Sequence, residues 1–173
     1  ELEKMNKYQK MMQGIKFLPA SDFHDLDGRE TADLFRKCGF SFPEDDYSIK
    51  TKREGSFRDF VIVGKNYHIE YAFDVQSGGY SEFSIYSNKS VVFDEEGYVV
   101  KMPSDNLFNP FGPARITNEE IYYCTVDLHS LHREDGPAII SLYSEERYYL
   151  KGLLIEKEVF DKMICKRRIK LMK

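Results

Sequence analysis

A chain of 173 residues, 42% hydrophobic and 31% charged, suits one folded domain and is too apolar to be intrinsically disordered. The net charge of −4 is split unevenly: residues 156–173 carry +4 and the remainder −8, so the body repels nucleic acid and only the tail could attract it. Cys38, Cys124 and Cys165 form no C-x-x-C pair, which excludes a zinc knuckle or a dithiol motif and suits a reducing, cytoplasmic setting. No apolar run approaches the roughly 20 residues of a membrane-spanning helix, so no membrane partner is expected.

In chain order, residues 2–13 read as a short helix, with Leu2, Met5, Tyr8 and Met12 on one side and Gly14 ending it. A second helix is expected at 28–38. Asp27 to Glu30 has capping-box spacing, Ala32, Phe35 and Cys38 follow at helical intervals, and Gly39 stands past the end. Asp22 to Gly28 resembles a calcium loop only superficially, since Phe23 and Leu34 would fall on ligand positions.

Thirteen Phe and twelve Tyr favour strands, and the middle of the chain alternates with period two. Tyr67, Ile69, Tyr71, Phe73 and Val75 fall on one face, with His68, Glu70, Ala72 and Asp74 on the other. Gln76-Ser-Gly-Gly79 turns the chain into a strand at 80–86, and further strands are expected at 57–63, 90–94 and 98–102. Gaps this short demand antiparallel pairing.

Residues 106–155 contain two copies of one pattern. Asn109-Pro-Phe-Gly-Pro-Ala114 precedes Glu119-Glu-Ile-Tyr-Tyr123, and His132-Arg-Glu-Asp-Gly-Pro-Ala138 precedes Glu145-Glu-Arg-Tyr-Tyr149. The Gly-Pro-Ala triplets are 24 residues apart and the Glu-Glu-x-Tyr-Tyr segments 26. An insertion of two residues is expected to keep every side chain on its face. Glycine should supply a bend closed to other residues, proline should start the strand, and small Ala114 and Ala138 should admit a neighbouring strand.

His132-Arg-Glu-Asp-Gly-Pro-Ala, Glu146-Arg-Tyr-Tyr-Leu-Lys-Gly152 and Glu156-Lys-Glu-Val-Phe160 together resemble the MORN-like H-R-x-D-G-P-A hairpin-repeat proteins of bacteriophages and bacteria. The resemblance covers residues 106–165. Tyrosine replaces the family's tryptophan, and Asn109-Pro-Phe replaces His-Arg in the first copy. It implies a repeat scaffold, plausibly phage-encoded, and no chemistry.

Candidate sites are few. His129 and His132, with Asp135 as third ligand and Asp127 and Glu134 nearby, are the one cluster resembling a metal or acid–base centre, which would suit a metal-assisted hydrolase or nuclease. Against it, i and i+3 oppose each other on a strand, and His132, Arg133 and Asp135 belong to the repeat frame. No phosphate loop, dinucleotide fingerprint or nucleophile elbow is present, so no catalytic residue, metal or cofactor is assigned. A helix at 156–171 carries Val159, Phe160, Met163 and Ile164 on one side and ends in Lys166, Arg167, Arg168 and Lys170, which could serve phosphate, nucleic acid or an acidic partner.

The expected fold is α+β: an antiparallel β-meander extended by repeat hairpins, with N-terminal helices and a C-terminal closing helix. Residues 1–105 hold the first helices and sheet, and 106–173 the hairpins and last helix, as one continuous domain. The expected function is non-enzymatic binding of a host protein, such as inhibition or modulation of a defence protein. Tyr122, Tyr123, Tyr148 and Tyr149 are the expected interface anchors if exposed.

Overall fold

Short gaps between apolar segments force neighbouring strands to run antiparallel, and among the described residues all strand ladders do so, the isolated bridge Cys124–His132 being parallel. The computed structural model describes residues 8–12, 44, 46–54, 57–74, 81–97, 99–102, 106–125 and 130–172. Strands β1 (Tyr47–Glu54), β2 (Phe57–Gly64), β3 (Tyr67–Asp74) and β4 (Ser81–Ser87) follow one another as a meander. A two-stranded ribbon, β5 (Val92–Phe93) and β6 (Val99–Lys101), interrupts the main sheet. That sheet resumes with β7 (Arg115–Thr117), β8 (Glu120–Tyr122) and β9 (Ile139–Ser141), giving the order β1-β2-β3-β4-β7-β8-β9. A second ribbon, β10 (Tyr148–Leu150) and β11 (Leu153–Ile155), leads into the C-terminal helix Lys157–Met172.

At the amino end, residues 8–12 are helical; the rest of the helix expected at 2–13, and all of that expected at 28–38, lie outside the described residues. Tyr8, Met11 and Met12 from this segment join Ile69, Tyr71, Phe83, Ile85, Ile116, Ile121 and Ile140 in one buried cluster. Alternation along the strands sends these side chains to one face, as the sequence pattern requires. Glu44 holds the β2–β3 turn, its carboxylate accepting from Asn66 N (2.8 Å), Asn66 Nδ2 (3.0 Å) and Tyr67 N (3.1 Å).

The face opposite the core carries a polar network. Arg115 pairs with Glu82 (2.9 Å) and donates to Ser84 Oγ (3.1 Å) and Tyr86 Oη (3.2 Å). His68 belongs to this face, yet it is fully buried. Tyr86 of β4 stacks on the imidazole at 5.2 Å, and from the ribbon β5–β6 Phe93 meets it edge-on at 5.7 Å.

The two Gly-Pro-Ala corners make the same bonds. Ile85 N donates to the Ala114 carbonyl (2.8 Å) and Ile85 O accepts from Phe108 N (3.1 Å). Tyr123 stands to the second corner as Ile85 stands to the first, giving to Ala138 O (2.8 Å) and accepting from His132 N (3.0 Å). Each alanine is completely buried between two strands, where a larger side chain would hold them apart. Inside each corner a side chain closes the loop: Asn109 Nδ2 donates to Pro113 O (2.9 Å), and Arg133 Nη1 to Pro137 O (3.1 Å).

Two expectations about these corners need correction. Gly112 and Gly136 are not left-handed; among the described glycines only Gly97 (φ 90) and Gly152 (φ 78) are. What Gly136 supplies is room, since a Cβ there would stand 3.0 Å from Arg133 Cζ, whereas at Gly112 the nearest atom is Asn109 Nδ2 at 3.8 Å. The insertion also fails to preserve the faces. Arg115 pairs with Tyr122, but the equivalent Ile139 bridges Arg147, a shift of 25 residues (122 to 147) where the sequence landmarks shift by 26. The tyrosines of the second copy therefore lie one place further along and turn over. Tyr148, not Tyr149, takes the buried place of Tyr123.

This geometry separates two identical substitutions. Gly136→Ala makes the guanidinium give by a few tenths of an ångström against its four partners and is expected to cost about 1 kcal/mol in urea unfolding. Gly112→Ala makes ordinary contact and should stay within about 0.5 kcal/mol of the parent.

Candidate interaction surface

Consecutive residues of a loop can point to different neighbours, and residues 132–134 do so. Lys151 N donates to His132 Nδ1 (2.8 Å), and Gly152 N donates to Leu131 O (3.0 Å). Lys151 (φ 49) and Gly152 (φ 78) are both left-handed, as a two-residue type I′ hairpin between β10 and β11 demands. The lone pair of His132 thus satisfies the donor at a residue that is not glycine and is costly to place there.

Arg133 is the most heavily engaged side chain of the corner. Its Nε donates to Asp135 (2.8 Å), Nη1 to Pro137 O and Nη2 to Tyr8 Oη (2.9 Å), while its carbon lies 4.0 Å from the centre of the Tyr123 ring. Burial pushes the Tyr123 phenol above its ordinary range, an effect the Arg133 charge opposes. Glu134 then reaches the last helix, accepting from Arg167 Nη1 at 2.6 Å. That bond, more than any other influence, holds the Glu134 carboxyl below the usual carboxylate range.

These contacts decide several candidates. Asp135 is bound to Arg133, His132 Nδ1 is occupied by a backbone N–H, and His129 lies outside the described residues. No group of three potential metal ligands occurs among the described residues. Of the four tyrosines, Tyr123 and Tyr148 are interior and only Tyr122 and Tyr149 are half-buried, so two of the four cannot anchor a partner from the folded surface. Burial, together with Glu120, raises the Tyr122 phenol to about 12; burial, then Glu146, does the same for Tyr148. Lys166, Arg168 and Lys170 are exposed, whereas Arg167 is spent partly on Glu134.

The C-terminal helix departs from the apolar side expected of it. Phe160 alone is buried, packed on Tyr148 at 4.8 Å, and Ile164 is half-buried. Val159, Met163, Ile169, Leu171 and Met172 stay exposed. Their neighbours Leu153 and Leu154 on β11 are 70% and 64% exposed, and Leu142 and Tyr143 are exposed as well. Nine of the twelve exposed large apolar side chains described therefore lie within residues 142–172. A cleft of about 1020 Å³ separates the helix from the 133–146 segment, floored by Met12, Ile140, Tyr148, Phe160 and Ile164.

Comparison of the chain with family models, curated proteins and solved structures gave no match. Among the described residues no helix is long and apolar enough to cross a membrane. The signal that sequence reasoning missed was Glu134, noticed only as a neighbour of a metal cluster although its position beside a basic helix makes it a tether.

His132→Phe keeps the ring volume but removes the acceptor for Lys151. It should cost about 1–3 kcal/mol in urea unfolding, with accelerated amide exchange confined to 148–155. A variant with unchanged exchange in that ribbon would contradict the assigned role.

Proposed function

We propose that this chain is a non-enzymatic protein-binding module that receives an acidic partner surface on its C-terminal helix and the ribbon before it. The observation that carries the reading is the clustering of exposed apolar side chains within 142–172, a segment whose last part, residues 156–173, carries +4. Apolar anchors supply the attraction at the centre of such an interface, and Lys166, Arg168 and Lys170 supply steering and register from its rim. Tyr122 and Tyr149 remain available to add contact area. Nucleic acid is a poorer fit, because the body carries −8 and the exposed leucines and methionines offer phosphate nothing.

The two Gly-Pro-Ala corners support reading 106–155 as copies of one MORN-like hairpin unit, since both make the same main-chain bonds. That resemblance supports a cytoplasmic site of action and a host protein as partner, with inhibition or modulation of a host defence protein as the specific form. A metal-assisted hydrolase finds less support, because Asp135 is engaged by Arg133 and His132 Nδ1 by Lys151.

Affinity capture from bacterial lysate with three forms of the protein tests this. The parent should retain a stoichiometric acidic protein. Met163→Glu with Ile169→Glu, and separately Lys166→Glu with Arg168→Glu, should each weaken that capture by about tenfold or more while leaving the unfolding midpoint unchanged. Equal capture by all three forms, or recovery only of nuclease-sensitive material, would overturn the reading.

A further inference from the structure

His68 has no part in the surface described above, yet among the described side chains of the sheet it is the most completely enclosed titratable one. Its exposure is zero. Asn88 fixes its tautomer. The Asn88 amide donates to Gly64 O (2.8 Å), so its Oδ1 is the atom 2.7 Å from His68 Nδ1, and that nitrogen must carry the hydrogen. Nε2 is left with a bare lone pair, buried and without a hydrogen-bond partner. The nearest carboxylate oxygen, Glu70 Oε1, stands 3.8 Å away, an acceptor facing an acceptor.

The imidazole also sits where two parts of the fold meet. Tyr86 of β4 lies on one side and Phe93 of β5 on the other. Asn88 joins the same two parts, with its N bonded to Asn66 O (2.8 Å) and its O accepting from Val91 N (3.1 Å). We propose that His68 is a proton-operated latch: neutral, it holds the β5–β6 ribbon against the sheet; protonated on Nε2, it releases that ribbon and uncovers the end of the outer sheet face.

The charges around it define the balance. Glu70 on its own strand and Tyr86 on β4 are the titratable groups in recorded contact, and Arg115 of β7 holds the Tyr86 hydroxyl at 3.2 Å. Asn88 and Phe93 bring no charge; Lys89 and Asp94 beside them are exposed. A proton on Nε2 would therefore put a cation in a sealed aromatic slot with one carboxylate beyond bonding distance. Burial lowers the pKa of the ring below its ordinary 6.5, against the weaker raising effect of the Asn88 bond. The sign follows: the open form takes up the proton near 6.5 and the closed form only at lower pH. Closure is thus fully favoured above 6.5 and is lost as pH falls from there towards the folded value.

Nitrogen NMR of the His68 ring, read beside residue-specific amide exchange from pH 8 to pH 4.5, tests the latch on the intact chain. The expected result is an unprotonated Nε2 at neutral pH that titrates below 6.5. Exchange over 91–101 should quicken by up to about tenfold per pH unit beyond its intrinsic pH dependence, while 116–123 is unaffected. His68→Phe should leave the ribbon indifferent to pH over the same range. Should that variant unfold, Glu70→Gln serves instead, and removal of the nearby carboxylate should move the transition to lower pH. A ring that titrates at or above 6.5, or a ribbon whose corrected exchange ignores pH in the parent, would overturn the proposal.

Discussion

A single guanidinium, that of Arg133, joins parts of the chain that are far apart in sequence. It closes the corner through Pro137 O, leans on Tyr123 of the preceding hairpin and reaches Tyr8 at the amino end. A cation over an aromatic face contributes most when desolvated, and both partners here are largely enclosed. Its neighbours extend the same hub: His132 satisfies the turn of the last ribbon and Glu134 ties down the last helix. Three consecutive residues thus bind three elements that the ladder hydrogen bonds alone leave separate from the main sheet.

That arrangement puts most of the motif's polar groups to framework use. Of the residues that looked ready for a metal or an acid–base step, Asp135 is bound to Arg133 and His132 accepts through Nδ1, while its buried Nε2 makes no hydrogen bond and stands 3.6 Å from Glu134. Exposed apolar side chains concentrate towards the far end of the described residues, where the leucines of β11 are followed by a helix ending in a run of cations. Under the proposed function the corner is framework and the end is the recognition surface.

Strands were legible where one face is apolar and the other polar, as in β3 and β4, and where an apolar run is short, as in β2; all three lie within a residue or so of their expected bounds. By contrast, β1 was invisible, because Tyr-Ser-Ile-Lys-Thr-Lys-Arg-Glu alternates too weakly to stand out and is recruited by pairing with β2. His68 was assigned to an open face because periodicity sees one strand at a time and not a ribbon folded over it. The parity of the second hairpin misled for a related reason: the Glu-Glu-x-Tyr-Tyr letters repeat at 26 residues while the main-chain pairing repeats at 25. Side-chain identity and backbone register are separate constraints, and only the second decides which tyrosine is buried. The helix failed its expected side because packing of Phe160 on Tyr148, not a continuous apolar stripe, holds it.

The hub is tested most directly by a double-mutant cycle on Arg133→Met and Tyr123→Leu, with stability read from urea unfolding of the parent, both single variants and the pair. If the guanidinium and the ring hold the corner together, the two losses should be non-additive by about 1 kcal/mol or more. Losses that add to within about 0.3–0.5 kcal/mol would show that the two side chains act independently, and the corner would then owe its geometry to its main chain alone.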